Sequence, residues 1–218
     1  MKHTADKRLS EAAELISQGA VLADIGTDHA KLPVSLILSG KIDFAYLCDI
    51  NEGPLSAAAE LVREAGVEDK VKLVLTDGLR NLPLKEITDI SICGMGGELI
   101  SQILQNSLCR EYSRISFILN PMSRDEALRR YFAEKGFVVK KEIAAVQSGR
   151  VYSVMNAVYT GVPYEKDDWW YYIGEIPDTE IGVLYIKKVL SKLYKMEKNP
   201  STSKKTAKII KDIEEKIK

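Results

Sequence analysis

The feature that most constrains this chain is an alternation repeated along its first 160 residues. Five short runs rich in apolar and β-branched residues ("AVLADI", "IDFAYLCDI", "KVKLVLTDG", "ITDISICGMGG" and "RISFILNP") alternate with helix-forming stretches. The helices read as "LPVSLIL", "EGPLSAAAELVREAG" closed by Gly66, "ELISQILQN", and "SRDEALRRYFAEKG" with a serine cap and a glycine stop. A further amphipathic helix precedes the first strand, with Leu9, Ala12, Ala13, Leu15 and Ile16 on one face. Two more strands, "FVVKKEIAAV" and "RVYSVMNAVYT", follow with only "QSG" between them, which is a hairpin signal. Strands joined by helices pair parallel, and strands joined by a tight turn pair antiparallel. The expectation is an α/β fold with a mostly parallel sheet of seven strands.

That plan resembles the class I methyltransferase fold, a seven-stranded relative of the Rossmann fold. The first unit is then residues 1–160. Residues 161–180, "GVPYEKDDWWYYIGEIPDTE", form a connecting segment, and residues 181–218 change character. There Ile186, Val189, Leu193 and Met196 recur at three- and four-residue steps, "KNPSTS" breaks the helix, and Ala207, Ile210, Ile213 and Ile217 resume the stripe. Two such helices should pair as a helical hairpin, an antiparallel coiled coil. The net charge of zero conceals a split. Lys187 to Lys218 holds 11 lysines against 4 acids, so this end carries +7 and the remainder −7. Such a basic end suits an anionic partner such as nucleic acid, or simply a solvated lysine face. The cluster "WWYY" can stack on unpaired bases. More often such a cluster packs one subdomain on another.

Composition removes several classes. No apolar run approaches the roughly 20 residues needed to span a bilayer, and the amino terminus has no apolar signal core. Three cysteines (Cys48, Cys93, Cys109) without ligand spacing, and only two histidines, argue against a metal and for a reducing, cytoplasmic setting.

In an open parallel sheet, ligands sit at the carboxyl ends of the strands. In strand order those ends supply Asp24 and Gly26, then Asp49, then Asp77 and Gly78, then Gly94, Met95, Gly96 and Gly97, and finally Asn120 and Pro121. Asp49 stands where an acid can accept from both ribose hydroxyls, as in NAD and S-adenosylmethionine sites; an ordinary strand-end acid is the alternative. Asp77 can accept from an adenine amino group, although Asp-Gly alone is often only a turn. The first loop separates the two cofactors. A pyrophosphate needs G-x-G-x-x-G, but here Thr27, Asp28 and His29 follow Gly26, and Asp28 would repel phosphates. S-adenosylmethionine carries a sulfonium and a zwitterionic tail. Asp28 can face the cation or the ammonium, while Thr27 and His29 can donate to the carboxylate. A capping histidine is the plainer reading of His29. Three glycines in "CGMGG" suit a backbone passing close to a ligand. Asn120 can touch a substrate base or close a loop before proline.

Together the strings "RLSEAAELISQGAVLADIGTDHAKLP", "CDINEGPLSAA", "TDGL", "ICGMGGELI" and "LNPMSRDEALRRYFAEKGF", with the basic hairpin, resemble the bacterial tRNA (adenine-22-N1)-methyltransferases of the TrmK family. The resemblance implies S-adenosylmethionine as cofactor, held by Asp24, Gly26, Thr27, Asp28, His29, Asp49, Ile50, Asn51, Asp77, Gly78, Gly94, Met95 and Gly96. It implies methyl transfer to N1 of an adenosine in tRNA, by an enzyme taken to be a monomer. It also implies that the tRNA elbow or D-arm is gripped partly by the hairpin; the candidate substrate contacts are Arg8, Lys31, Asn120 and Pro121, and hairpin lysines Lys187, Lys188, Lys192, Lys204, Lys205 and Lys208. Two positions depart from the family: Asn120 stands where glutamine is frequent, and Lys31 where an aromatic is expected. Adenine N1 has an in-plane lone pair, so alignment and water exclusion supply most of what the reaction needs. Asp28 is the candidate catalytic carboxylate. Rival readings are a non-catalytic RNA-binding protein with this fold and a methyltransferase for another RNA, a protein or a small molecule.

Overall fold

The computed structural model describes residues 6–106, 110–200 and 203–217. In chain order the elements are α1 (Lys7–Leu15), β1 (Ala20–Ile25), α2 (Lys31–Leu38), β2 (Ile42–Asp49), α3 (Glu52–Ala65), β3 (Val71–Leu75), β4 (Asp89–Cys93) and α4 (Gly97–Asn106). They continue with β5 (Ser116–Asn120), α5 (Asp125–Lys135), β6 (Phe137–Gln147), β7 (Arg150–Tyr159), α6 (Asp168–Ile173), α7 (Glu180–Glu197) and α8 (Ser203–Lys216). The seven strands form one sheet ordered β3-β2-β1-β4-β5-β7-β6. Strands β1 to β5 are mutually parallel, while β7 runs antiparallel to both β5 and β6. The strand order reverses at β1 and β4, so their carboxyl ends flank the crevice where such sheets take ligands.

Strand alternation explains the two cores. Leu22, Ala45 and Leu47 point to one face, where they meet Ala12, Leu32, Ile37 and Val62 from α1, α2 and α3. Ala23, Ile25, Tyr46 and Cys48 point to the other, which Ile100, Leu104, Leu128 and Phe132 of α4 and α5 cover. Covered on both faces, the central strands need apolar residues at nearly every position, as the sequence supplies. Gly66 and Gly136 end α3 and α5 in the left-handed conformation. The β6–β7 turn places Ser148 at φ 50° and Gly149 at φ 72°, as a two-residue hairpin loop requires.

One capping expectation fails. Helix α5 begins not from a serine cap but from Arg124 in the left-handed region, with no side-chain cap bond. Ser123 is drawn away because its carbonyl accepts from Gly97 N at 2.7 Å, tying the α5 entry to the glycine turn after β4. The helical hairpin forms as expected, with Ile186, Val189 and Leu193 of α7 against Ile209, Ile210 and Ile213 of α8. Its far end differs: Ile217 lies beyond α8 and is exposed. The "WWYY" cluster packs. Trp170 and Tyr171 close over Ala133 and Tyr164, whereas Trp169 and Tyr172 join the hairpin core.

Candidate functional site

A cavity of about 180 Å³ opens at the β1/β4 reversal, lined by Asp24, Gly26, Thr27, Asp28, His29 and Gly94, with Arg8, Lys31 and Cys93 at its margins. Its base is Asp24, fully buried, whose Oδ1 accepts from Ser91 Oγ at 2.5 Å across the β1–β4 pair. Burial pushes the Asp24 carboxyl above its ordinary range, and the Ser91 hydrogen bond works in the opposite direction. Burial likewise pushes the Cys93 thiol well up, which disfavours the reactive thiolate form.

The loop after β1 has an unusual backbone. Gly26 (φ 72°), Asp28 (φ 47°) and Ala30 (φ 51°) all lie in the left-handed region, alternating with Thr27 and His29. Alternation of that kind turns successive N–H groups toward one concavity, which suits an anionic group such as a carboxylate. Gly26 N and Thr27 N are spent on Cys48 O, and Ala30 N on Thr27 O. The Asp28 and His29 N–H groups have no backbone acceptor among the described residues. Asp28 and His29 lean together, Nε2 to Oδ1 3.6 Å, with both side chains largely exposed. Thr27 Oγ1 is buried, close enough to Asp24 to help lower its carboxyl, yet without a partner of hydrogen-bond geometry. A Cβ at Gly94 (φ 89°) would meet nothing within 4 Å, so open space lies against that backbone. A Cβ at Gly26 would instead run into the Met95 methyl, which brings the β1 and β4 loops together.

The remaining strand-end residues stand along the same edge without lining this cavity. Asp49 Oδ1 accepts from Asn51 N at 2.9 Å, and Ile50 beside it is an exposed apolar side chain, 62% accessible. Asp77 is paired to Arg80 at 3.2 Å. The left-handed turn at Gly78 packs against Ile103, which is a packing reason for that glycine. Gly96 faces Ser123 Oγ. Asn120 and Pro121 are buried at the end of β5. Arg8 joins this group to the cavity: its guanidinium pairs with Asp6, lies 3.5 Å from Asn120 Oδ1, and sits 5.3 Å from the Tyr152 ring centre.

The lysines of the hairpin fall into two sets. Lys188 donates to Val151 O at 2.7 Å beside the Tyr152 and Tyr185 rings, and its burial pulls the ammonium below its ordinary range. Lys192 pairs with Glu126 (3.1 Å) and Lys205 with Asp168 (3.2 Å). Lys187, Lys204 and Lys208 are exposed and carry no ion pair among the described residues. Sequence reasoning missed the buried cluster of Asp125, Arg129, Glu142 and Tyr185 behind the site. No local pattern in the sequence announces it; in the structure the cluster is closed by Gly174, where any Cβ would strike Glu142 and Arg129. No group of three His, Cys, Asp or Glu that could hold a metal occurs among the described residues, and no helix there is long and apolar enough to cross a membrane.

A family profile described as a methyltransferase domain matches residues 5–155, so the chain belongs to the methyltransferase-domain family. A tRNA (adenine(22)-N(1))-methyltransferase of Bacillus subtilis (strain 168) is 32% identical over 163 residues, covering 72% of this chain and 68% of that one. Within the wider class, the chain is a member of the tRNA (adenine(22)-N(1))-methyltransferase family. Two solved structures are alike over nearly their whole length. One is a Streptococcus pneumoniae candidate tRNA (m1A22) methyltransferase in complex with S-adenosyl-L-methionine, with 28% identity, TM-score 0.84, and 97% and 98% of the two chains covered. The other is M. capricolum TrmK in complex with S-adenosyl-homocysteine, with 25% identity, TM-score 0.81, and 99% and 98% covered.

Proposed function

We propose that this protein transfers a methyl group from S-adenosylmethionine to N1 of an adenosine in tRNA, adenosine 22 of the D-arm being the target. The observation that carries the reading is the β1–α2 loop, where left-handed turns at Gly26, Asp28 and Ala30 present unspent N–H groups beside two acids and the open backbone of Gly94. That donor set fits a ligand with a carboxylate and a cation, and it does not fit a pyrophosphate. S-adenosylmethionine, when bound, supplies an electrophilic methyl group.

The chain's own residues bind, orient and shield. Thr27 and the loop N–H groups hold the carboxylate of the amino-acid tail, and Asp24 and Asp28 face its cationic part. Asp49 takes the ribose, with Ile50 and Asp77 at the adenine. Arg8 at the cavity margin, with Asn120 buried behind it, forms the end of the site that receives the target base, which must be unpaired or flipped because N1 lies on its pairing edge. Lys187, Lys204 and Lys208 supply phosphate contacts on the hairpin. Residues 161–180 act as the joint between the methyltransferase unit and the hairpin. The test is nucleoside mass spectrometry of unmodified tRNA incubated with protein and cofactor. N1-methyladenosine at position 22 is the expected product; none at any position overturns the reading.

A further inference from the structure

A buried chain of hydrogen bonds runs from the helical hairpin to the wall of the site. Tyr185, on α7, donates its hydroxyl to Asp125 Oδ2 at 2.7 Å. The same oxygen accepts from Ser153 Oγ of β7 at 3.0 Å. The Ser153 carbonyl accepts from Asn120 Nδ2 at 2.7 Å, and Asn120 Oδ1 lies 3.5 Å from the Arg8 guanidinium at the cavity margin. All four side chains from Tyr185 to Asn120 are buried. The first link is held from behind, because Arg129 donates to the Tyr185 oxygen at 3.1 Å and is itself anchored by Glu142.

The chain has a direction. A carbonyl can only accept, so Ser153 O fixes the Asn120 amide with nitrogen inward and oxygen toward Arg8 and the site. Asn120 therefore presents an acceptor to the Arg8 guanidinium, the donor that lines the cavity. Were Asp125 displaced, Ser153 would lose its side-chain anchor, and the carbonyl holding Asn120 would be positioned by the pairing of β7 with β6 alone.

We infer that Tyr185 is a positioning residue: seated on Asp125, it fixes Asn120 through Ser153, so that the docking of the hairpin sets the geometry of the target-base end of the site. The inference rests on the reading of Arg8, with Asn120 behind it, as the target-base end of the site. Such buried networks are strongly coupled, and a small misplacement at a reacting centre is costly.

The experiment is a double-mutant cycle on tRNA methylation. Tyr185→Phe should lower kcat about 10- to 100-fold while the Kd for S-adenosylmethionine stays unchanged. In an Asn120→Ala background the same substitution should cost nothing further. An equal loss in both backgrounds, or no loss in the wild-type background, overturns the inference, since a general weakening of the fold would act alike in each. Should Tyr185→Phe fail to fold, Ser153→Ala cuts the middle link and leaves Tyr185 on Asp125, with the same pattern expected. A second readout needs no substrate. In NMR spectra of the whole protein, the Asn120 side-chain amide protons should be protected from exchange, and Tyr185→Phe or Ser153→Ala should remove that protection. If no tRNA is methylated at all, the proposed function fails while the amide readout still decides the hydrogen-bond chain; unaltered protection in both variants overturns it.

Discussion

Ser91 Oγ donates to Asp24 Oδ1 at 2.5 Å, joining β4 to β1 directly beneath the cavity. The pair concentrates a conflict at one point. A buried carboxylate is costly to the fold, and a single hydroxyl offsets only part of that cost, which is why the Asp24 carboxyl stands above its ordinary value of 3.8. A buried carboxyl raised in this way at the wall of a cavity marks a candidate functional group.

Asp24→Asn should therefore separate stability from binding. A carboxyl raised in the folded state contributes its full stability below its ordinary pKa, and that contribution is lost as pH rises through the raised value. Above that window the folded protein carries the full cost of the buried charge. The variant should consequently show a higher unfolding midpoint than the wild type at pH 7 to 8, the difference shrinking toward pH 4. Cofactor affinity should fall about 10- to 100-fold, the scale of a lost hydrogen bond to a charged group. Differential scanning calorimetry across pH and titration calorimetry read the two effects.

Gly94→Ala tests the cradle after β4. The position has φ 89° with nothing within 4 Å of an added Cβ, so the substitution meets backbone strain but no clash. Strain of that kind costs about 1–2 kcal/mol. The fold should survive with a modestly lower midpoint, while S-adenosylmethionine binding is lost because the methyl group occupies the open space. Retained affinity would show that no ligand approaches Gly94.

Much of this arrangement is legible in the sequence because it is local. Strand β1 coincides with "AVLADI", and the glycine stops at Gly66 and Gly136 and the Ser148-Gly149 turn rest on chemistry within a few residues. The order of motifs along the sheet edge follows from strand order alone. The buried ion pair is not local. Arg129 sits in "ALRRY" and Glu142 in "KKEIAA", both of which read as ordinary charged surfaces until β6 folds over α5 and the loop through Gly174 covers them. Lys188 is non-local in the same way: in sequence it belongs to a lysine-rich face, and in the structure its ammonium donates to Val151 O beside two tyrosine rings. The left-handed turns at Asp28 and Ala30 were equally hidden, since neither residue type demands that conformation.

Arg129→Met should destabilise the protein by about 3–5 kcal/mol, because it strands the buried Glu142 charge. Glu142 already sits above its ordinary range through burial, with Arg129 holding it down. Removing both charges in Arg129→Met/Glu142→Leu should recover most of the loss. Urea unfolding at pH 7 measures both variants. A double variant as unstable as the single one would mean that packing, and not charge, is what the pair supplies.

The lysine sets should separate by salt dependence. Lys204→Ala and Lys208→Ala should each lower the slope of log affinity for tRNA against log salt by about one, as expected for a lost phosphate contact. Lys188→Ala should leave that slope unchanged and lower the unfolding midpoint instead, since its ammonium is already spent within the protein. Filter binding between 50 and 200 mM salt, about the range over which such contacts are resolved, reads the slopes.

Asp28 decides between binding and chemistry, and the choice of replacement matters. At φ 47° an alanine would add left-handed strain to the loss of charge, whereas asparagine tolerates that region at least as well as aspartate. Asp28→Asn therefore removes the carboxylate while leaving the loop backbone, and the N–H groups it presents, in place. If the carboxylate holds the adenine amino group or takes its proton once methylation acidifies it, kcat should fall about 100-fold or more, with cofactor affinity within a few-fold of wild type. Equal losses in kcat/KM and in cofactor affinity, with kcat preserved at saturation, would make Asp28 a cofactor ligand only. Because its side chain stands 77% exposed beside His29, the difference does not depend on any rearrangement of the core.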